Sequence, residues 1–163
     1  MTQAIIEAHA VEIPVGRKVL EGDLFVPPGA EGIVLFAHGS GSSRHSSRNQ
    51  FVARELQNAR IATLLFDLLT AEEEREDEFS GQLRYNIPML AERLVASTEW
   101  VLSQPHMRAL AVGYFGASTG GGAALVAAAQ MNAVVSAVVS RGGRPDLAGE
   151  ALPDVQAPTL LIV

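Results

Sequence analysis

The stretch Gly113-Tyr114-Phe115-Gly116-Ala117-Ser118-Thr119-Gly120-Gly121-Gly122 decides the reading of this chain. Gly116 to Gly120 spells GxSxG, a spacing that sets a serine on a sharp strand-to-helix turn. Upstream, Ala109 to Phe115 is an apolar, strand-like run. Downstream, Ala123 to Gln130 is an alanine-rich helical run expected to start just after the glycines. Small residues at Gly116 and Gly120 let the backbone fold back on itself, which a side chain at either place would obstruct. Ser118 would then sit at a helix N-terminus with its hydroxyl projecting outward.

Working outward, the sequence alternates. Ala4 to Pro14, Val19 to Val26 and Gly32 to Ala37 read as three strands, parted by Gly16-Arg17 and Pro27-Pro28-Gly29. The first two alternate in polarity, as an antiparallel hairpin does, whereas Ile33-Val34-Leu35-Phe36 is apolar throughout, as a strand covered on both faces is. Helix from Ser47 to about Asn58, strand Ile61 to Phe66, helix Ile87 to Ser103, the Ser118 strand and helix, and strand Ala133 to Val139 follow. Such alternation indicates an α/β fold, a mostly parallel sheet with helices on both faces. Ala157 to Val163 is one more buried-type strand, and the sequence stops inside it. An apolar strand at an open edge is an aggregation liability, so the expectation is a truncated chain whose last strand pairs with further sequence or a second copy.

The 163 residues are expected to form one domain, 1–163, with 48% hydrophobic content and no cysteine. Apolar runs fall short of the roughly 20 residues of a membrane span, and the N-terminus lacks the pattern of a secretion signal. A cytoplasmic protein without a membrane partner is expected. Net charge is −6, and Lys18 is the single lysine. An acidic chain without a basic stripe is poorly suited to nucleic acid, whose affinity comes largely from phosphate neutralisation. A small-molecule partner is expected instead, with no cofactor and no metal. The acidic run Glu72 to Glu78 reads as a solvated loop or helix start.

The order of strands, the His38-Gly39-Ser40-Gly41-Ser42-Ser43 loop after the third strand and the Ser118 turn after the fifth together resemble the α/β-hydrolase fold over the whole chain. More narrowly, Asp67-Leu68-Leu69-Thr70-Ala71-Glu72-Glu73-Glu74, Ile87-Pro88-Met89-Leu90-Ala91-Glu92-Arg93-Leu94 and Arg141-Gly142-Gly143-Arg144-Pro145-Asp146 resemble the dienelactone-hydrolase-like branch, some members of which follow a phosphoribosyltransferase domain. The resemblance implies an α/β-hydrolase fold with its final strand and helix missing, and hydrolysis of a small ester or lactone. That branch's namesakes use cysteine where this chain has Ser118, so no particular lactone is implied.

A serine hydroxyl needs a base, and the base a carboxylate, to become a nucleophile. The turn offers the Thr119 N–H as an oxyanion donor at the positive end of a helix. The resemblance nominates the Ser40 N–H as the second donor and gives His38 the task of shaping its loop. It also places the base histidine beyond the eighth strand, where this chain has no residue. His9 and His106 read as structural or exposed, and His45 is the one mobile histidine near the site. Asp146 is the nearest substitute for the acid, and equally a cap for a helix beginning at Leu147. Asp67 is expected to fix the loop that follows it. Arg44, Arg48, Arg141 and Arg144 follow strands at the edge where open parallel sheets bind ligands. Of these, Arg44 and Arg141, with His38 and Gly39, are the expected substrate contacts; surface ion pairs are the alternative for the arginines. A non-catalytic ligand-binding domain is the second reading. A short-chain dehydrogenase is a third, because Gly116 to Leu125 also resembles that family's glycine-rich turn. Its tyrosine-lysine pair cannot form downstream of Ser118 when Lys18 is the sole lysine, which equally excludes a P-loop.

Overall fold

The computed structural model describes residues 8–163. Seven strands form one sheet in the order β1-β2-β4-β3-β5-β6-β7. Strands β1 (His9–Val15) and β2 (Lys18–Phe25) make an antiparallel hairpin in register Val15 to Lys18, turning at Gly16 with φ +60°. Strand β2 is antiparallel to β4 (Ala62–Phe66). From there β4, β3 (Gly32–Ala37), β5 (Ala111–Ala117), β6 (Val135–Arg141) and β7 (Thr159–Ile162) run parallel. The antiparallel end and parallel body are as the sequence implies. The part of the first strand expected at Ala4 to Glu7 lies outside the described residues.

Period-two side-chain alternation divides the core. Ile33, Leu35, Leu64, Phe66, Val112 and Tyr114 point to one face, under helices α3 (Ile87–Ser103) and α4 (Thr119–Gln130). Phe36, Leu65 and Phe115 point to the other, where Ala53, Val52 and Leu56 of α1 (Ser47–Asn58) cover them. Strand β7 is an edge strand paired with β6, and its Leu160, Leu161 and Ile162 are exposed. Among the described residues no helix is long and apolar enough to cross a membrane.

Helix α4 starts at Thr119 rather than after the glycines. Packing, not helix propensity, explains them. A Cβ on Gly116 would lie 2.5 Å from the Gly120 carbonyl oxygen, and one on Gly120 would overlap the carbonyl oxygen of Ala37 at the end of β3. Bare backbone at these two places seats the first turn of α4 directly on the sheet.

The acidic run is also more structured than its composition suggests. Residues Ala71–Ser80 form helix α2, opened by a capping box in which Thr70 and Glu73 exchange side-chain and backbone bonds. Glu73 and Asp77, one turn apart, face inward and are 5% and 3% exposed, while Glu72, Glu74, Glu76 and Glu78 face water. Asp77 accepts from the N–H groups of Leu83 and Arg84 and from the Arg84 side chain, holding the chain after Gly81. Glu73 takes both arms of the buried Arg93 guanidinium, at 2.9 and 2.7 Å, and Lys18 Nζ at 2.7 Å. Arg93 also donates to the Leu68 carbonyl, at 3.2 Å.

Gly120, Gly142 and Glu73 each give a testable expectation. Gly120→Ala should cost about 3 kcal/mol or more in chemical denaturation, because hard overpacking has no flexible neighbour to yield. Gly142→Ala should cost about 1–2 kcal/mol, since Gly142 has φ +51° but open space around it. Burial alone would raise the Glu73 carboxyl, but its bonds to Arg93, Lys18 and Thr70 hold it at about 2. A carboxylate depressed on folding contributes stability that is complete above its unfolded value, 4.5, and is lost as pH falls towards about 2. Glu73→Gln should therefore destabilise the fold by about 3 kcal/mol at pH 7, as breaking a buried pair does. Denaturation from pH 7 to pH 2.5 should show that difference shrinking only below about pH 4.5.

Candidate active site

Ser118 occupies the single-residue step from β5 into α4, with φ +52° and ψ −124°. An L-residue is strained there by roughly 1–3 kcal/mol. Three backbone bonds hold it. The Ser118 N–H donates to the Arg141 carbonyl at 3.4 Å, and its own carbonyl accepts from Gly121 at 3.0 Å and Arg144 at 3.1 Å. The bends after β5 and β6 thus lock each other, and the Ser118 side chain is left exposed at the C-terminal edge of the parallel strands. Ligands bind at that edge in open α/β sheets.

The loop after β3 closes against this turn. A Cβ on Gly39 would come 3.2 Å from Ser118 Cβ, so the loop passes beside the serine with no side chain between. His38, buried beneath it, uses both ring nitrogens: Nε2 accepts the Leu68 N–H at 3.0 Å, and Nδ1 lies 2.8 Å from the Gly39 carbonyl. Because Nε2 accepts, the proton sits on Nδ1 and is donated to Gly39. Burial lowers the imidazole's pKa, against the opposing Gly39 bond and the charges of Asp67 and Glu74. A neutral, doubly bonded His38 shapes the loop and holds no lone pair for Ser118. Leu68, whose N–H His38 accepts, is also held through its carbonyl by Arg93, which Glu73 grips in turn.

Thr119 is the first residue of α4, so its N–H has no carbonyl four residues back within the helix. Thr119 and Ser40 both line a cavity of about 190 Å³, together with His38, Gly39, Leu68 and α2 residues. Ser118 itself lines an adjoining cleft with Gly39, Ser42, Arg48, Asn49 and Arg141. Arg141 donates to Asn49 Oδ1 at 3.2 Å, and its guanidinium lies 5.9 Å from the centre of the Phe115 ring.

Of the residues expected at the site, Ser118, Thr119, Ser40, His38, Gly39 and Arg141 are brought together, with Arg48 beside them. Arg44 is not: it pairs with Asp67, Glu21 and Asp23 and lines no wall of the Ser118 cleft. Asp67 likewise binds backward, accepting the Arg44 N–H at 2.8 Å, and so fixes the segment before α1 rather than the loop after β4. Asp146 is no cap. A 3₁₀ stretch Pro145–Asp154 begins after Arg144, and Asp146 lies in its first turn, exposed and bound by Arg144 at 2.9 and 2.7 Å. That Arg144 bond lowers the Asp146 pKa, opposed by desolvation and reinforced by the Arg144 charge. His9, His45 and His106 are exposed, and no histidine is among the described residues lining the Ser118 cleft. Sequence reasoning missed Asn49, whose partner is 92 positions away, and the buried Thr119 hydroxyl.

No family model matches the chain. Two curated Mycobacterium tuberculosis proteins, from strains CDC 1551 and H37Rv, are 58% identical over 153 residues; both bear the provisional name phosphoribosyl transferase. The match takes in 94% of this chain and 34% of theirs, so the chain spans about a third of the length of these relatives. Among solved structures, the dienelactone hydrolase from Anabaena variabilis is 61% identical, covers 95% of this chain and 72% of its own, and superposes with a TM-score of 0.93. An α/β serine hydrolase homologue from Coxiella burnetii shares the fold alone, at 18% identity, 98% and 74% coverage and a TM-score of 0.74. A dienelactone hydrolase-like phosphotriesterase from metagenomic libraries does so at 21%, 94% and 66%, and 0.71. With the strand order, the strained turn and the Anabaena likeness in agreement, the chain belongs to the dienelactone hydrolase family and has the α/β-hydrolase fold.

Proposed function

We propose that this chain carries the nucleophile and oxyanion site of a serine hydrolase acting on a small ester or lactone. The observation that carries the reading is Ser118 at φ +52°, exposed at the strand-to-helix turn one residue before the free first N–H of α4, with the Gly39 loop passing beside it. In this mechanism Ser118 Oγ attacks the carbonyl carbon while its proton passes to a base. The carbonyl oxygen becomes an oxyanion, received by the Thr119 and Ser40 N–H groups. Collapse breaks the bond to the leaving alkoxide, which takes the proton from the base and departs. Water then repeats the sequence on the acyl-enzyme and restores Ser118.

In this proposal the base histidine and its carboxylate come from sequence following β7. Support comes from His38, whose two nitrogens are committed to the loop. The Arg144 pair argues against Asp146 as the orienting acid. Arg48 and Arg141 beside Ser118, with no carboxylate among the residues lining that cleft, favour a substrate bearing a negative charge on that side.

A fluorophosphonate probe tests the reading. The full gene product should be labelled on Ser118, and Ser118→Ala should abolish labelling and lower hydrolysis of p-nitrophenyl esters by on the order of 10⁴ or more. The 163-residue chain should label far more slowly than the full product. Failure to label Ser118 in the full product would leave a ligand-binding domain and overturn the hydrolase reading.

A further inference from the structure

Resting on the serine-hydrolase reading only for where the substrate lies, we infer that Asn49 is a positioning residue. It holds Arg141 beside Ser118 as an uncompensated cation and so selects substrates with an anionic group on that side. Among the described residues, Arg44, Arg84, Arg93 and Arg141 are the arginines that are buried or half-buried. The first three meet the carboxylates of Asp67, Asp77 and Glu73. Arg141 meets none among the described residues: its Nη2 donates to the neutral Oδ1 of Asn49 at 3.2 Å, and its guanidinium lies 5.9 Å from the Phe115 ring centre. Taking a charge out of water is costly unless a counter-charge meets it, and an amide oxygen and a ring face supply only part of that. A positive charge is thus left open to an anion, in a cleft that Arg141 lines with Ser118 and in which no carboxylate is among the lining residues.

Both members of the pair are fixed from the backbone upward. Asn49 stands in the first turn of α1, where its N–H donates to the Ser46 hydroxyl at 3.3 Å, and it is 2% exposed. Arg141 ends β6 in register with Ala117, and its carbonyl accepts the Ser118 N–H. The guanidinium therefore springs from the residue bonded to the serine's own backbone. Its Nε is closed off without a partner and Nη2 is held by Asn49, whereas Nη1 makes no hydrogen bond among the described residues and is not closed off. That leaves the Nη1 edge for a ligand. A carboxylate in place of the Asn49 amide would accept the same bond and cancel the charge, while an amide oxygen accepts without cancelling it. Asparagine is what keeps Arg141 both placed and cationic.

Phenylacetate and its neutral isostere phenylacetamide serve as probes, titrated into the Ser118→Ala full product and followed by NMR at the Arg141 Nε–H. Binding needs no activated serine, so this readout is independent of fluorophosphonate labelling. Phenylacetate should move the Arg141 signal and bind about fivefold more tightly than phenylacetamide at low salt. Raising salt should narrow that gap. Arg141→Gln should remove it. Asn49→Asp keeps the bond and puts a carboxylate in the first turn of a helix, so it should fold with equal or greater stability. It should nevertheless lose the gap while binding phenylacetamide unchanged. A purely structural asparagine would tolerate that exchange and keep the gap. Equal binding of the two probes, binding of neither, a gap that survives either substitution, or an Asn49→Asp variant that fails to fold overturns the role of Asn49, even where Ser118 labels normally. An anion preference that depends on Asn49 in a product whose Ser118 does not label would support the pair and sink the hydrolase reading instead.

Discussion

The structure turns on one strained residue. Ser118 holds φ +52° because β5, α4 and the bend after β6 leave its backbone no other path. Bare glycine backbone at 116 and 120 brings α4 so close to β3 and β5 that the strand-to-helix step must be made in a single residue. The strain is repaid by burial of nearly all of α4 against the sheet and α3, from Thr119 to Ala128. Its product is geometric: an exposed hydroxyl and, one residue on, an N–H that the helix itself leaves without an acceptor.

The proposed second donor, the Ser40 amide, depends on a longer chain of contacts. Glu73 grips Arg93, Arg93 holds the Leu68 carbonyl, the Leu68 N–H fixes His38, and His38 fixes Gly39 beside Ser40. Each link is buried or nearly so, where a hydrogen bond is stronger and a missing partner costs more than at the surface. The network ties helices α2 and α3 to the loop after β3 and makes His38 a structural group. It also explains how an acidic segment that looked solvated comes to pack against the site: two of its carboxylates point inward, each with an arginine.

Much of this was legible in the sequence. The succession of strands along the chain, the hairpin, α1 and α3 and the Ser118 turn all follow from hydrophobic period and glycine placement, because those patterns are local, whereas the order of the strands in the sheet is not. The start of α4 was not legible: its glycines read as a loop, whereas tertiary contact with the Ala37 carbonyl keeps them in a helix. The inward faces of Glu73 and Asp77 depended on Arg93 and Arg84, whose approach no local pattern encodes. Arg44 shows the reverse error. Its position at the ligand edge suggested substrate contact, but three nearby carboxylates, two of them on β2, occupy it. Charges in sequence reveal which partners exist, and the fold decides which of them meet.

The central claim is that a strained Ser118 presents its hydroxyl beside the Thr119 and Ser40 amides. A crystal structure of the full product after reaction with a fluorophosphonate tests it most directly. The account predicts phosphorus bonded to Ser118 Oγ, with one phosphoryl oxygen about 2.7–3.1 Å from both amide nitrogens. An adduct whose oxygen points away from them, or phosphorus carried by another residue, would contradict it.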